Sequence, residues 1–321
     1  MEVYGPPDYN TLICTKKNTK FAVHDHLGGF DKNYKNSILK KQNEFHEPGT
    51  ITITTEYIFT DFIKEKYNNI NFLFDFDRVK NTDFDPFKNY KIHPELTFKN
   101  FLCSFNGTHH VSRQLLASIL NNQGHFNIDY CSKNFAHDNN CISGHLTSLD
   151  LTDIEQKKYE KFFLNNNSFN NNIYSFGHVR FDHTQNIYNL QNKLTDSFLH
   201  LVSETLATSY YPYYSEKFLY SIVTRGLFLS YAHPNWHAHL SKYYGFKLYN
   251  KIFDYSFDAV LNPVKRLVKL IEMISTFSKL SSEDWRDLYL LEQDTIEYNY
   301  DHYFSKNYLK SLKQFDNTST I

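Results

Sequence analysis

The stretch FLHLVSETLATSYYPYYSEKFLYSIVTRGLFLSYAHP, residues 198–234, decides the fold. An apolar run ends in the carboxylate Glu204, and an aromatic loop follows it. A short amphipathic segment then runs from Ser215 to Gly226, and a second apolar run covers residues 227–231. This order of strand, loop, helix and strand is typical of a doubly wound α/β domain, which binds its ligands where the strands end.

Polar residues stand at the start of the predicted helix, residues 215–225. Serine is a favoured N-cap residue, so we expect Ser215 to begin the helix and to leave its first N–H groups available to an anion. Lys217 adds a positive charge there, with Glu216 between the two. Glu204, at the end of the preceding strand, can accept hydrogen bonds from hydroxyl groups. Together these residues predict a site for the phosphates of a nucleotide sugar.

The same alternation of strand and helix occurs earlier in the chain. Residues 98–105 are predicted to form a strand and residues 111–120 the helix after it. Arg113 lies in this helix, and its guanidinium group could bind a diphosphate with two hydrogen bonds. We therefore expect Arg113 to reach the crevice that contains Lys217.

The N-terminal part contains a βαβ unit. Residues 51–55 (ITITT) and 70–76 (INFLFDF) are predicted strands, with helical spacing in residues 57–67 between them. A helical crossover implies that the two strands are parallel. Glu56 stands directly after the first strand.

Residues 136–195 depart from this alternation. We expect a long excursion, partly loop, with one helix at residues 153–163. After the second apolar run come a helix at residues 235–244, a helix that begins with Pro263, and a final helix capped by Ser281. The end of the chain, from about residue 305, is predicted to be a polar tail.

Composition excludes several classes of protein. The 321 residues contain 34 basic and 35 acidic side chains, so the chain has no electrostatic footprint for nonspecific nucleic-acid binding. The N-terminus has no signal-peptide pattern, and no apolar run approaches the ~20 residues of a membrane span. The four cysteines show no CxxC spacing, which predicts free thiols in a reducing compartment. We expect a soluble, cytoplasmic protein without a membrane anchor.

Two motifs resemble those of the α-1,3-fucosyltransferases, a GT-B glycosyltransferase family, and resemble still more those of its relatives in viruses and phages. The family has a strand ending in Ser-Asn and then a helical Arg, matched by residues 104–106 and Arg113. It also has Glu-Asn-Ser, a loop and Thr-Glu-Lys, matched by residues 203–205 and 215–217. Thr205 stands where the family has Asn, which leaves the donor sugar open.

Further matches lie towards the C-terminus. The relatives carry a Gly-Phe-Lys segment, an Asp-x-x-x-Asp segment and an Arg-bearing helix, as do residues 245–247, residues 254–258 and Arg266 here. The whole resemblance covers roughly residues 98–131 and 198–280.

The resemblance implies an α/β, GT-B-like fold, in which two Rossmann-like domains with parallel sheets face a cleft. Residues 1–94 would form the N-terminal, acceptor-side domain. Residues 95–304 would form the C-terminal domain that binds the nucleotide sugar, with an insertion at residues 136–195. Residues 305–321 would be the polar tail.

The activity that the resemblance implies is inverting transfer of a sugar from a nucleotide-diphosphate donor to an acceptor hydroxyl, without a metal or other cofactor. GDP-fucose is one candidate donor. Arg113 and Lys217 would neutralise the diphosphate, while Glu204 and Glu216 would contact ribose or sugar hydroxyls beside Ser215. The host cell of a virus is a location that fits this resemblance.

The family also uses an N-terminal carboxylate as general base, in a Thr-Gly-Glu-Asn-like stretch. Residues 54–56 (Thr-Thr-Glu) match it, which makes Glu56 the candidate base that deprotonates the acceptor. Asp75 and Asp77 are the rival candidates. The acceptor is a glycan or another hydroxyl-bearing molecule, with nucleic acid left open.

Two other functions remain in competition. Sixteen histidines, among them His233, His237 and His239, raise the alternative of a metal-dependent hydrolase. His24 and His26 have a metal-ligand spacing as well, although polar residues in a loop after a strand are the favoured interpretation. The other alternative is a carbohydrate-binding protein that keeps the fold without turnover.

Overall fold

Two parallel β-sheets and the helices beside them form the described part of the protein. The computed structural model describes residues 20–23, 51–55, 70–74, 84–90, 96–105, 111–122, 128–131, 139–149, 151–164, 173–174, 182–204, 207 and 214–311. The protein is therefore of the α/β class, as predicted.

The first sheet belongs to the N-terminal part and has the order β1-β2-β3. Its strands are β1 (Lys20–Val23), β2 (Ile51–Thr55) and β3 (Ile70–Phe74). All pairings are parallel, with Ile51 of β2 opposite Ile70 of β3. The predicted parallel pair is confirmed.

The second sheet is doubly wound. Its strands are β4 (Asn100–Phe105), β5 (Ile128–Cys131), β6 (Ile173–Tyr174), β7 (Ser197–Ser203) and β8 (Leu227–Tyr231). They lie in the order β6-β5-β4-β7-β8, and every pair is parallel. The strands β5 and β6 are thus added in turn on one side of β4, and β7 and β8 are then added in turn on its other side. The carboxyl ends of β4 and β7 form the switch point, where such sheets bind ligands.

The helices follow most of the predicted positions. They are α1 (Val111–Asn122), α2 (Asn139–Ser148), α3 (Asp153–Leu164), α4 (His183–Thr195), α5 (Lys217–Val223), α6 (Trp236–Tyr244), α7 (Pro263–Ser275), α8 (Ser282–Leu291) and α9 (Gln293–Phe304). The excursion at residues 136–195 contains α2 and α4 besides the expected helix, α3. The predicted start of α7 at Pro263 and the predicted cap of α8 by Ser281, which forms a capping box with Asp284, are confirmed. The structure adds that Asn262 caps α7 by accepting hydrogen bonds from two backbone N–H groups.

The single final helix expected after Ser281 is two helices. Glu292 lies between α8 and α9, fully buried, and its Oε1 accepts the N–H of Lys251 at 2.6 Å. Holding this carboxylate inside the protein fixes the break in the helix. The chain is helical again at residues 307–311, where Tyr308 is buried against Phe246 and Tyr303, inside the segment predicted to be a polar tail.

Aromatic side chains seal the amino end of the β4–β7 pair. Phe98 and Phe101 both contact Phe198, and Trp285 of α8 stacks on Phe198 with ring centroids 6.1 Å apart. Large aromatic side chains contribute strongly to a core because each removes a large apolar area from water. This cluster fastens α8 to the two central strands.

A tight turn joins α5 to β8. The N–H of Gly226 donates to Ser221 O at 2.7 Å and that of Arg225 to Ile222 O at 3.0 Å, which is the Schellman pattern. Arg225 occupies the left-handed position, φ 54°, where glycine is more usual. Gly226 is required for a different reason, because a Cβ there would lie 2.1 Å from His200 Cε1.

The segment of residues 84–90 is fastened to this second part of the protein. Tyr300 Oη donates to Phe87 O at 2.5 Å, and Arg225 donates to Tyr90 O. The ring of Phe84 lies 6.0 Å from that of Tyr220 on α5. The chain between the two sheets is therefore anchored before β4 begins.

Replacing Gly226 with alanine should lower the free energy of unfolding by about 3 kcal/mol, because the ring of His200 is buried and cannot move away. Gly144→Ala is the matched control, since Gly144 lies within α2 with open space around the position of a Cβ. It should raise stability by about 0.5–1 kcal/mol. Urea denaturation of both variants checks this, and equal effects would contradict the packing at Gly226.

Candidate functional site at the carboxyl edge of the second sheet

The switch point brings the start of α1 to the end of β7. Ser112 Oγ, in the first turn of α1, donates to the backbone oxygen of Glu204 at 3.3 Å. Arg113 follows directly and is buried. The structure thus places the helical turn that contains Arg113 beside Glu204, two elements that the sequence predicted at one crevice.

Glu204 is a buried carboxyl group with one satisfied oxygen. Its N–H continues the ladder by donating to Tyr231 O at 3.0 Å, and its Oε1 accepts the N–H of Ser215 at 3.2 Å. Its Oε2 is buried and has no hydrogen-bond partner among the described residues. Burial raises the pKa of Glu204, and this effect exceeds the lowering by Lys217 and by the hydrogen bonds from Ser215.

The prediction that Ser215 is the N-cap is wrong. Helix α5 begins at Lys217, and Glu216 occupies the N-cap position in helical conformation without a side-chain cap. The hydrogen bond to Glu204 fixes the backbone of Ser215, which places its Oγ 3.4 Å from the N–H of Lys217. Because α5 has only seven residues, its dipole contributes little, and any attraction of an anion must come mainly from side-chain charges.

Glu216 and Lys217 form a partly buried ion pair, with Lys217 Nζ 3.0 Å from Glu216 Oε1. Burial raises the pKa of Glu216, but the charges of Lys217 and then of His183 lower it more, to about 2. Glu216 is therefore ionised at every physiological pH. Its carboxylate offsets the positive charge of Lys217. The sequence had predicted that this charge is available to the phosphates of a ligand.

His183 is a member of this group that the sequence analysis missed. It is the first residue of α4, which Asp182 caps by accepting the N–H of Gln185 at 2.8 Å. Its Nδ1 lies 2.8 Å from Tyr220 Oη and 3.9 Å from Glu216 Oε1. The signal available in the sequence was an Asp-His pair at a helix start, since helices of such sheets begin at the carboxyl edge.

Buried polar atoms without partners lie at the ends of β7 and β8, on both faces of the sheet, because Ser203 pairs with Tyr231 and Ser230 with Val202. Within the described part of the chain, Ser203 Oγ, Glu204 Oε2, Ser230 Oγ and both ring nitrogens of His233 have no hydrogen bond. Each of these side chains is about 1 % exposed. Native proteins pair nearly all such groups with protein, water or ligand. Those of Ser203 and Glu204, at the end of β7, lie at the switch point, which makes this edge the candidate site for polar ligand groups.

Arg266 holds the loops around this edge. It donates to the backbone oxygens of Ala207 at 2.5 Å and of Ala232 at 2.9 Å, and also to two carbonyl groups at residues 260–261. Burial lowers the pKa of its guanidinium group. These bonds fix the position of the chain after β7 and after β8, so Arg266 supports the site rather than lining it.

The second Asp of the Asp-x-x-x-Asp segment, Asp258, fixes His237. His237 Nδ1 lies 2.9 Å from Asp258 Oδ1, and its Nε2 accepts the N–H of Ser230 at 3.0 Å. Both nitrogens are thus used in the neutral ring, which removes His237 from the metal ligands considered above. Among the described residues, no three His, Cys, Asp or Glu side chains are grouped so that they could hold a metal ion.

A cavity of about 300 Å³ lies at the opposite, amino edge of the sheet. Its charged groups are paired within the protein: Lys99 with Asp196 at 2.9 Å, and Arg225 with Glu297 at 2.9 Å. The cavity is also lined by Ser197, whose buried Oγ has no partner among the described residues, but by none of the motif residues. The carboxyl edge combines such buried groups with the motif residues. We therefore place the candidate site at the carboxyl edge.

Several predicted residues lie outside the described part of the chain. These are the candidate bases Glu56, Asp75 and Asp77, together with His24 and His26. Glu56 directly follows β2, at the carboxyl end of the first sheet. In the described ranges, no helix is long and apolar enough to cross a membrane.

Comparison of the chain with protein-family models, with curated proteins and with solved structures found no match.

Replacing Glu204 with glutamine should stabilise the protein at pH 8, by about 1–3 kcal/mol, because glutamine keeps an acceptor for Ser215 and carries no charge to bury. The pKa of Glu204 is raised on folding, so its ionisation lowers the stability of the wild type as pH rises through the folded value. The difference between the two proteins should therefore be absent at pH 4 and full at pH 8, measured by denaturation at each pH.

Glu155→Gln is a control variant in which we expect the change in stability at pH 8 to have the opposite sign. A hydrogen bond from Lys265, whose Nζ lies 2.6 Å away, lowers the pKa of Glu155. This variant should lose stability at pH 8, and the loss should disappear on acidification. A Glu204→Gln curve that runs in the same direction would refute a costly buried carboxylate.

Proposed function

We propose that the protein is a glycosyltransferase that moves a sugar from a nucleotide-diphosphate donor to an acceptor hydroxyl, inverting and without a metal. The observation that carries this proposal is the coincidence, at one switch point, of buried polar groups without partners and the residues that resemble the fucosyltransferase motifs. Open α/β sheets bind nucleotides at this place.

The finer architecture is part of the proposal. Two parallel sheets, of three and five strands, support a GT-B-like arrangement of two Rossmann-like domains around a cleft. In this arrangement the five-stranded sheet belongs to the donor domain. The three-stranded sheet carries Glu56 directly after β2, as the base for the acceptor hydroxyl.

Each residue of the candidate site has a chemical role in such a reaction. Arg113 and Lys217 neutralise the diphosphate, which stabilises the negative charge that develops on the leaving group. Glu216, ionised and fixed by Lys217, accepts a hydrogen bond from a ribose hydroxyl. Glu204 does the same for a sugar hydroxyl through Oε2, the oxygen that Ser215 does not occupy.

A carbohydrate-binding protein without turnover is the second candidate. The pairing of Lys217 with Glu216 favours it, because the pair presents little net charge to a diphosphate. The Oε2 of Glu204, partnerless among the described residues, suits a sugar hydroxyl equally well in a protein without turnover. Consumption of a nucleotide sugar in the presence of acceptor separates the two candidates, since only the transferase releases a nucleoside diphosphate.

Lys217→Ala should weaken binding of a nucleoside diphosphate about 10- to 100-fold, the effect of removing one hydrogen bond to a charged group. Isothermal titration with the diphosphates of the common nucleosides and their sugars measures it. Lys99→Ala is the control, since Lys99 also pairs with a carboxylate but lies at the amino edge, and its affinity should equal that of the wild type. If the wild type binds none of these ligands, or if both variants bind alike, the proposal is wrong.

A further inference from the structure

His183 and Lys217 share one carboxylate. Lys217 Nζ lies 3.0 Å and His183 Nδ1 3.9 Å from Oε1 of Glu216. The three side chains come from the first turns of α4 and α5, which begin at the same edge of the sheet. Glu216 is 9 % exposed, so solvent screens these interactions only in part.

We propose that His183 is a positioning residue of the donor site, which sets through Glu216 how strongly Lys217 attracts a diphosphate. This inference rests on the proposed function, because it takes a diphosphate as the ligand of Lys217. While the imidazole is neutral, Glu216 offsets the charge of Lys217. Once the imidazole is protonated, two cations share one carboxylate, and the three groups together carry one net positive charge.

The hydrogen bonds around His183 accommodate both protonation states. The neutral ring accepts the hydroxyl proton of Tyr220 at Nδ1, across 2.8 Å. The protonated ring donates from Nδ1 to Tyr220 Oη, whose two lone pairs can accept this hydrogen bond together with the one from the Asn186 side chain. A proton can therefore be gained without breaking the contact between α4 and α5.

The other charged and titratable groups near His183 leave this mechanism intact. Asp182 is occupied as the cap of α4. Burial raises the pKa of Tyr220, so its hydroxyl group stays protonated. Burial raises the pKa of Glu204, so this carboxyl group can also change its charge, but it is present in the wild type and in a His183 variant alike. The difference in charge between the two proteins thus comes from His183.

The test compares the affinity for inorganic pyrophosphate of the wild type and of His183→Gln between pH 8 and pH 5.5, the range in which histidine usually titrates. Titration of pyrophosphate itself and of Glu204 affects both proteins alike, so the ratio of the two affinities is the readout. The ratio should be near one at pH 8 and should rise about tenfold in favour of the wild type at pH 5.5. His145→Gln, which removes a histidine from α2, should follow the wild type.

The outcomes separate this inference from the function on which it rests. If both proteins bind pyrophosphate with a constant ratio at all pH values, His183 has no such role, while the donor site stands. If the wild type does not bind pyrophosphate at any pH, the diphosphate site and the role of His183 both fail. Circular dichroism at each pH verifies folding, and His183→Asn replaces the glutamine variant if that variant unfolds.

Discussion

The parallel pairing of β4 with β7 is the constraint on which the rest of the structure depends. Cys103 lies opposite His200, and Ser104 Oγ donates to Leu201 O at 2.8 Å, so strands almost a hundred residues apart lie side by side. This pairing reverses the strand order and opens the switch point. It also sets Ser112 against Glu204, and through the aromatic cluster it places α8. A site formed at this junction contains residues that are distant in the chain.

The charged groups of the candidate site serve the fold and a ligand in different ways. Glu204 is buried at a cost to stability, whereas Glu216, whose pKa is lowered by Lys217, contributes stability at neutral pH but offsets the nearest cation. Functional sites commonly keep polar groups in arrangements that the rest of the protein must support. Here Arg266 and the His237–Asp258 pair provide that support, because they fix the chain after both strands with bonds that are fully used within the protein.

The sequence predicted those features that depend on local pattern. The strands β2, β3, β4, β7 and β8 were recognisable from apolar runs, the start of α7 from Pro263 and the cap of α8 from Ser281. The sequence did not predict features that depend on a residue distant in the chain. Ser215 is not the N-cap of α5, because its backbone N–H donates to Glu204. The final helix is interrupted at Glu292, because the carboxylate of Glu292 accepts the backbone N–H of Lys251. His183 was missed for the same reason, since only the fold brings α4 beside α5.

The anchored segment before β4 determines how far apart the two halves of the protein can be. Phe84 is fixed against Tyr220, the residue that also holds His183. About ten residue steps separate Phe74, the end of β3, from Phe84, and they span at most about 35 Å when fully extended. The first sheet is thus joined by a short connection to Phe84, which is fixed beside the candidate site. The number of residues in this connection alone limits how far the end of β3 can lie from the candidate site, whatever the affinity between the two halves.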